Sequence, residues 1–539
     1  MPKSAPVVLG YVHFDLPRMD NYISEFLIAQ DSADLVFRNK YVKIECSANN
    51  RTFLGRVVEG PFFIPEEVDR GSAFAQTSIL KGDKFPVVPS YYALARVELL
   101  GELHEGKLFA TNTRPIPKAP VIELATDEVQ KLIGLKGSML LGRLLGYEEV
   151  RVLMDAEDKK VLPRNIGIFG TVGSGKTNTA QVIIEEASAA GYAVIVVDIE
   201  GEYINMDKPT AELHDKLKQF GLKPEGLKDF WVYYPVAGEC ARPKSIPFDI
   251  EFSSMDPYIL AEILNFTEAQ ERIFLGDLMP KLVAEKEKEG RKKEEEEESE
   301  ALRFLMGAPA ERAEGKFTIV DAIRMIFDEL IPEQKGGERV SSYTLAKKLA
   351  KLRRSKIFDQ PDVAELQISN LLRAGRVSVI DVSGCDEEVK NIVIAWLLRK
   401  VFDAKISEPE KTPKTLILIE EAHTFVSREK RERMGATLDM IRTIARRGRK
   451  RWLCLGFISQ QPSHLPGEIF ELCNTRIIHS IKSERNIEVL KATGGDIKQE
   501  VWNMVSGLGI GQAIISGPQY DHPIQVDIRP AKSRRELVT

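Results

Sequence analysis

Eight consecutive residues, Gly170-Thr171-Val172-Gly173-Ser174-Gly175-Lys176-Thr177, carry the strongest chemical signal in the sequence. Glycines at this spacing let a loop fold tightly and aim backbone N–H groups at phosphate oxygens. Lys176 can bridge the β- and γ-phosphates of ATP, and Thr177 can ligate Mg²⁺. Asn178 follows in the opening turn of a helix whose N-terminus favours anions. A chance Gly-rich turn is the plainer alternative, but a strand (IGIF) precedes the loop and a helix (NTAQVIIEEA) follows it, as the chemistry requires.

Hydrolysis needs more than a phosphate cradle. The stretch TLILIEEAH, residues 415–423, is an apolar strand ending in two carboxylates. Glu420 is placed to hold the magnesium shell through water, and Glu421 to polarise the attacking water as a general base. A solvated turn would also tolerate such a pair. In FISQQP, residues 457–462, Gln460 can sense the γ-phosphate through its amide, with Ser459 and Gln461 as weaker candidates. Asp198 and Glu200, at the end of VIVVDIEGEY, suit either a water network or the capping of the following turn.

Residues 428–451, REKRERMGATLDMIRTIARRGRKR, hold ten basic and three acidic residues, a local charge of +7. Met440, Ile441 and Ile444 make an apolar helical face, and Arg442 and Arg446, four apart, share another. Gly448 ends the helix, and Arg449, Lys450 and Arg451 follow. Three readings stand: a solvated cationic end, an arginine finger reaching a neighbouring subunit's nucleotide, or a surface for nucleic-acid phosphates. Arg446 is the first choice for a finger and Arg164, ahead of the P-loop strand, the second.

The elements that must position these groups read as α/β. Strand, glycine loop, helix and strand succeed one another from residue 161, and AVIVVDI is dense enough for a central parallel strand. Residues 1–120 read instead as short strands broken at Asn49-Asn50 and Gly60-Pro61, a small barrel or sandwich, with 121–160 as a connection. The core is expected in two parts, 161–204 and 376–517, split by a helical insertion at 205–375. Within that insertion KEKEGRKKEEEEESE, residues 286–300, reads as a solvated helix extension or link. Residues 518–539 form a strand-like piece and polar tail, free to dock on a neighbouring subunit.

The 539 residues are 43% hydrophobic and 29% charged, enough for several domains and too ordered in composition for a disordered chain. The formal charge of −5 excludes a wholesale polycation but leaves room for a local basic surface. Five scattered cysteines and seven histidines show no metal-ligand spacing and no disulfide framework. No signal peptide or run of about 18 apolar residues is seen, so the expected setting is cytoplasmic, without a membrane.

Taken together, GTVGSGKTN at 170–178, GEY at 201–203, LILIEEAHTF at 416–425, IRTIARRGRK at 441–450, ISQQPSHLP at 458–466, CNTRIIHSIKS at 473–483 and GQAIISG at 511–517 resemble the HerA family of hexameric DNA-translocating ATPases, within the wider HerA–FtsK group. The resemblance implies an N-terminal β-barrel, a RecA-like P-loop core, a helical-bundle insertion and a C-terminal extension that embraces the next subunit. It implies ATP and Mg²⁺ as cofactors, double-stranded DNA as track, a homo-hexamer, and a NurA-type nuclease as partner in processing DNA ends for recombination repair. It carries the P-loop lysine to Lys176, the catalytic glutamate to Glu421, the arginines near the nucleotide to Arg446 and Arg164, and the polar sensor to Gln460. The sequence departs from the family in Glu420 where Asp is common, in Asp198-Ile199-Glu200 where Asp-Pro-His is frequent, and in Gln461 where Arg is frequent. The alternatives are a ring ATPase that moves a polypeptide or a single strand, and a nucleotide-dependent scaffold of low turnover.

Overall fold

Alternating apolar residues between tight turns build the first of two compact units, which comprises Met1–Asp155 and Gly495–Ile528; the second comprises Ala156–Gly494 and Arg529–Thr539. The computed structural model describes residues 6–15, 22–81, 89–286, 288, 316–426, 435–494, 497 and 499–536. In the first unit the elements are β1 (Val8–Val12), β2 (Ile23–Ile28), β3 (Tyr41–Cys46), β4 (Arg51–Pro65), α1 (Ala73–Lys81), β5 (Tyr91–His104), β6 (Lys107–Phe109) and β7 (Pro120–Glu123). The order β2-β1-β7-β3-β4-β5, with β2 also paired to β5, closes a six-stranded barrel, and no sandwich forms. Leu9, Phe26, Val42, Ile44, Phe53, Val57, Val97 and Val121 fill it, as the period of two requires. Gly60-Pro61 is not the break expected from sequence. The β4–β5 register shifts between Glu59 and Phe62 and then continues to Pro65 opposite Tyr91, so the pair is a bulge inside one long strand. Gly60 has φ +102°, and a Cβ there would meet Ala95 Cα at 2.9 Å.

Residues 121–160 are more than a connection. They supply α2 (Thr126–Leu132), β8 (Met139–Leu144) and β9 (Arg151–Met154).

The second unit is organised by an all-parallel sheet of strands that read as near-continuous apolar runs because both faces are covered. They are β10 (Asn165–Phe169), followed by α3 (Lys176–Ala189), then β11 (Ala193–Asp198), β12 (Phe230–Pro235), β13 (Ile246–Phe248), β14 (Val377–Asp381), β15 (Thr415–Ile419), β16 (Leu453–Ser459) and β17 (Cys473–His479). Their order is β13-β12-β14-β11-β15-β16-β10-β17. Val197 pairs with Ile419, Ile419 with Phe457, and Phe169 with Ser459, so the carboxyl ends of β11, β15, β16 and β10 lie along one edge. That edge is where an open α/β sheet presents its ligand site.

Two boundaries differ from the expectation. The stretch 205–375 is not purely a helical insertion, because β12 and β13 inside it belong to the core sheet. Phe-Trp-Val-Tyr-Tyr-Pro, paired between β13 and β14, is aromatic and only partly buried, so it lacks the Val- and Ile-rich run that marks the strands beside it. One short helix, His214–Gln219, precedes these strands, and others follow at Pro257–Ile263, Glu268–Arg272, Ile319–Met325 and Gly337–Arg354. The charged run 286–300 lies, apart from Lys286 and Lys288, outside the described residues. The second core segment also stops before 517, since β18 (Gln512–Ser516) and β19 (Ile524–Ile528) form with β8 and β9 an antiparallel group in the first unit. Among the described residues, no helix is long and apolar enough to cross a membrane.

Candidate functional site

The phosphate loop leaves β10 at Phe169. A side chain at Gly170 would come within 2.6 Å of Ser174 Oγ and 2.7 Å of His479 Cβ, so the close packing of the loop on β17 requires glycine. Thr171 N and Oγ1 both donate to Ser480 O, at 2.9 and 3.0 Å, fastening the loop just past β17. Gly175, at φ +111°, turns the chain into α3. Val172 and Gly173 form the tip, with Val172 81% exposed. Ser174 Oγ and Lys176 Nζ donate to Thr171 O at 2.7 and 2.9 Å. Burial holds the Lys176 ammonium below the usual lysine range, while Glu421, Glu202 and Glu420 draw it back up. Thr177 is half-buried in the first turn of α3. Asn178, expected among the nucleotide contacts, has its side-chain amide engaged elsewhere: Nδ2 donates to Arg529 O at 2.9 Å and Oδ1 accepts from Ala531 N at 2.8 Å.

The strand ends then bring the carboxylates together. Asp198 is fully buried and accepts from Gly201 N at 2.7 Å, Glu202 N at 3.1 Å and Tyr203 N at 2.8 Å. It therefore caps the turn after β11, deciding between its two sequence readings, and Glu200 beside it is exposed. Burial, with Asp381 nearby, pushes Asp198 up to about 7. Glu420 follows Ile419, which pairs with Val197, and so stands beside Asp198; its backbone N donates to Val197 O at 3.2 Å. It is 4% exposed, and burial and the facing Asp198, Glu202 and Glu421 push its carboxyl well above the usual range. Its Oε2 has no hydrogen-bond partner among the described residues, an opening that a magnesium-bound water would fill.

Glu421 takes φ +42°, a left-handed conformation that costs a non-glycine residue on the order of 1 kcal/mol or more. Thr424 N and Oγ1 fix it there by donating to Glu421 O at 2.8 and 2.9 Å. Glu421 Oε2 lies 3.1 Å from His423 Nδ1 and accepts from Gln460 N at 3.4 Å. Gln460 thus meets Glu421 through its main chain, whereas the sequence pointed to its side-chain amide. Ser459 Oγ accepts from Gln461 N at 3.1 Å, which makes it part of the turn.

Neither candidate arginine stands at this edge. Arg164 immediately precedes β10, at the amino end of the sheet, and its carbonyl accepts from Cys454 Sγ at 3.0 Å. Arg446 lies in the helix Gly435–Gly448, whose chain enters β16 from the same amino end. At about 3.3 Å per residue, a strand as long as β16 separates the two edges by roughly 20 Å. Both arginines are thus out of reach of the phosphates bound by their own chain. Arg446 is exposed and lines a cavity of about 380 Å³ with Arg447, Lys450 and Arg451. Arg442, by contrast, is neutralised by Asp439 at 2.6 Å and Glu468 at 3.0 Å. Residues 428–434 of the basic stripe lie outside the described residues. Two charged residues near Lys176 escaped the sequence reading: Glu202, visible only within the Gly-Glu-Tyr likeness, and Arg535 of the C-terminal tail, which carries no motif.

No group of three or more metal-ligating side chains is present among the described residues. The site accordingly suits a cation carried mainly by phosphate and water, with Thr177 and Glu420 beside it.

The family model described as the central domain of helicase HerA matches residues 139–401, which include the whole phosphate loop but stop short of Glu420 and Glu421. The DNA double-strand break repair helicase HerA of Pyrococcus furiosus is 25% identical over 478 residues, covering 82% of this chain and 78% of the relative. Its counterpart in Sulfurisphaera tokodaii is 24% identical over 443 residues, covering 81% and 77%. Among solved structures, VirB4 of Thermoanaerobacter pseudethanolicus aligns with 73% of this chain and 96% of its own at 15% identity and a TM-score of 0.49.

Proposed function

Because the chain belongs to the HerA/FtsK-like P-loop ATPases and is an ATP-hydrolysing enzyme, we propose that it acts as a hexameric ring motor that moves on double-stranded DNA. The observation that carries the chemistry is the convergence of Lys176, Glu420 and Glu421 on one strand edge. Lys176 and the loop N–H groups would bind the β- and γ-phosphates of ATP, and Thr177, with Glu420 acting through water, would hold Mg²⁺. The metal's contribution is to neutralise phosphate charge. Glu421 would orient water and accept its proton, and Gln460 would report the γ-phosphate through its link to Glu421.

Arg446, with Arg164 as the second candidate, would stabilise developing charge on the nucleotide of the adjacent subunit. Its position at the far edge of its own sheet supports action in trans. Both relatives described above carry double-strand break repair in their names, which supports a role in DNA-end processing; a nuclease of NurA type as partner rests on the family resemblance alone. The barrel offers a surface for such a protein: Phe63, Ile79, Leu80 and Tyr91 are exposed around an apolar cavity of about 720 Å³.

The test is steady-state ATPase with linear duplex DNA, single-stranded DNA and an unfolded polypeptide, alongside the mass of the assembly in the same preparation. Selective stimulation by duplex DNA with a six-subunit mass is expected. Stimulation by polypeptide alone, or a monomer with full activity, refutes the reading.

A further inference from the structure

The segment Arg529–Glu536 is held to its own core by far more than a fraying tail requires, and it does so on its own chain, where sequence suggested a neighbouring one. Arg529 is fully buried and donates through Nη2 to Glu185 Oε2 at 2.8 Å and Glu186 Oε1 at 2.7 Å. Lys532 N and Ser533 N donate to Glu185 Oε1 at 2.8 Å, and Ser533 Oγ does so at 2.7 Å. Thr210 N donates to Lys532 O at 2.9 Å and Arg534 N to Lys208 O at 2.8 Å. The segment therefore begins against Asn178, one residue beyond Thr177, and ends at Glu202 in the turn that Asp198 caps. There Glu536 N donates to Glu202 O at 3.0 Å, and the Arg535 guanidinium pairs with the Glu202 carboxylate.

This end of the segment bears on the phosphate site. Asp198, Glu202, Glu420 and Glu421 all gather at the strand edge that must also receive a polyanion. Asp198 is answered by the three backbone N–H groups of Gly201, Glu202 and Tyr203. Glu202 has a different remedy, a cation supplied by the C-terminal segment. The Lys176 ammonium feels both members of the pair, Glu202 favouring its charge and Arg535 opposing it.

We propose that Arg535 is a positioning residue for triphosphate binding: by pairing with Glu202 beside the phosphate loop it cancels a carboxylate that would otherwise repel the incoming nucleotide. It acts from the same chain and at the nucleotide edge, in contrast to Arg446 and Arg164. The inference rests on the reading of Gly170–Thr177 as the triphosphate site.

The experiment measures ATP affinity by titration calorimetry, and KM and kcat by steady-state ATPase, on the full chain with Mg²⁺ at low and high salt. Arg535→Ala is expected to raise Kd and KM on the order of tenfold, with little change in kcat and with a smaller effect at high salt. Arg535→Lys should keep most of the affinity, and Glu202→Gln alone should not weaken binding. The double variant Arg535→Ala/Glu202→Gln should return to within about threefold of the parent, which loss of a direct phosphate contact or of a purely structural tie would not allow. Unchanged affinity in Arg535→Ala, weakened binding in Glu202→Gln, or a double variant as weak as Arg535→Ala each overturns the proposal. Failure of the parent chain itself to bind ATP, or unaltered binding by Lys176→Ala, would instead overturn the reading of the site.

Discussion

Replacing Glu421 by Gln changes one oxygen to an amide nitrogen, keeps the size of the side chain and removes its basicity. The carboxylate has two near neighbours, His423 Nδ1 at 3.1 Å and Gln460 N at 3.4 Å, both of which the remaining amide oxygen can still face. The left-handed backbone at Glu421 is fixed by Thr424 through the main-chain carbonyl, so the substitution leaves that anchor intact. Folding should thus be little affected, with a change on the order of 1 kcal/mol. Turnover should fall by about 10²- to 10⁴-fold, the usual contribution of a positioned general base, which is roughly 3 to 5 kcal/mol in the barrier. ATP binding should hold or tighten, because one of the negative charges facing Lys176 disappears. Titration of nucleotide in the presence of Mg²⁺, followed by steady-state phosphate release on the same sample, separates the two effects. Turnover within about threefold of the parent would show that another group activates water. Joint loss of binding and turnover would show that Glu421 organises the loop instead.

Lys176→Ala should abolish turnover by weakening ATP itself, on the order of a hundredfold for a lost charge-assisted contact; binding within about threefold of the parent in calorimetry would contradict the assignment. Arg446→Ala and Lys176→Ala, each inactive alone, should recover measurable ATPase when their subunits are mixed and reassembled, and no recovery would argue against action in trans. Lys405 is buried, with burial lowering it to about 8 and Pro413 O accepting its ammonium. Its folded value lies below the unfolded one of 10.5, so the unfolded chain binds more protons between about pH 8 and 10.5 and stability rises with pH across that window. Lys405→Met should raise the melting temperature at pH 7, since Thr415 Oγ1 still satisfies Pro413 O, and should flatten the pH dependence above 8; a lower melting temperature would refute the cost assigned to the buried charge.

Sequence revealed those parts of the site that local geometry determines. A phosphate loop must be contiguous, so Gly170–Thr177 could be read directly, and a buried parallel strand ending in acids, 415–421, also declares itself in one line. Long-range choices were harder to read. Asp198 suited two roles until Gly201, Glu202 and Tyr203 turned their N–H groups onto it. Arg535 stands 359 positions after Lys176 in the chain, and only the fold of the C-terminal segment brings its charge to the loop. The strand at Phe230–Pro235 was hidden because its aromatic, half-exposed residues lack the Val- and Ile-rich run of the central strands. Asn178 shows another long-range choice: it follows the motif directly, yet its side-chain amide is spent on Arg529 and Ala531.

The parallel sheet also explains why the basic groups at 446–451 and the acidic pocket at 420–421 are separated. Every strand in it runs the same way, so each crossover helix must return the chain to the amino edge before the next strand starts. Arginines that close such a helix, as Arg446 does, are delivered to the edge opposite the phosphate loop by topology alone. One copy therefore holds a triphosphate pocket at one edge and an exposed cationic pocket at the other. Placed at opposite edges of one sheet, the two faces suit a head-to-tail contact, which closes into a ring when the rotation per subunit divides the circle. The net charge of −5 conceals this separation. If Arg446 completes a neighbour's pocket, as proposed, the placement of charge on the two edges would couple assembly to nucleotide.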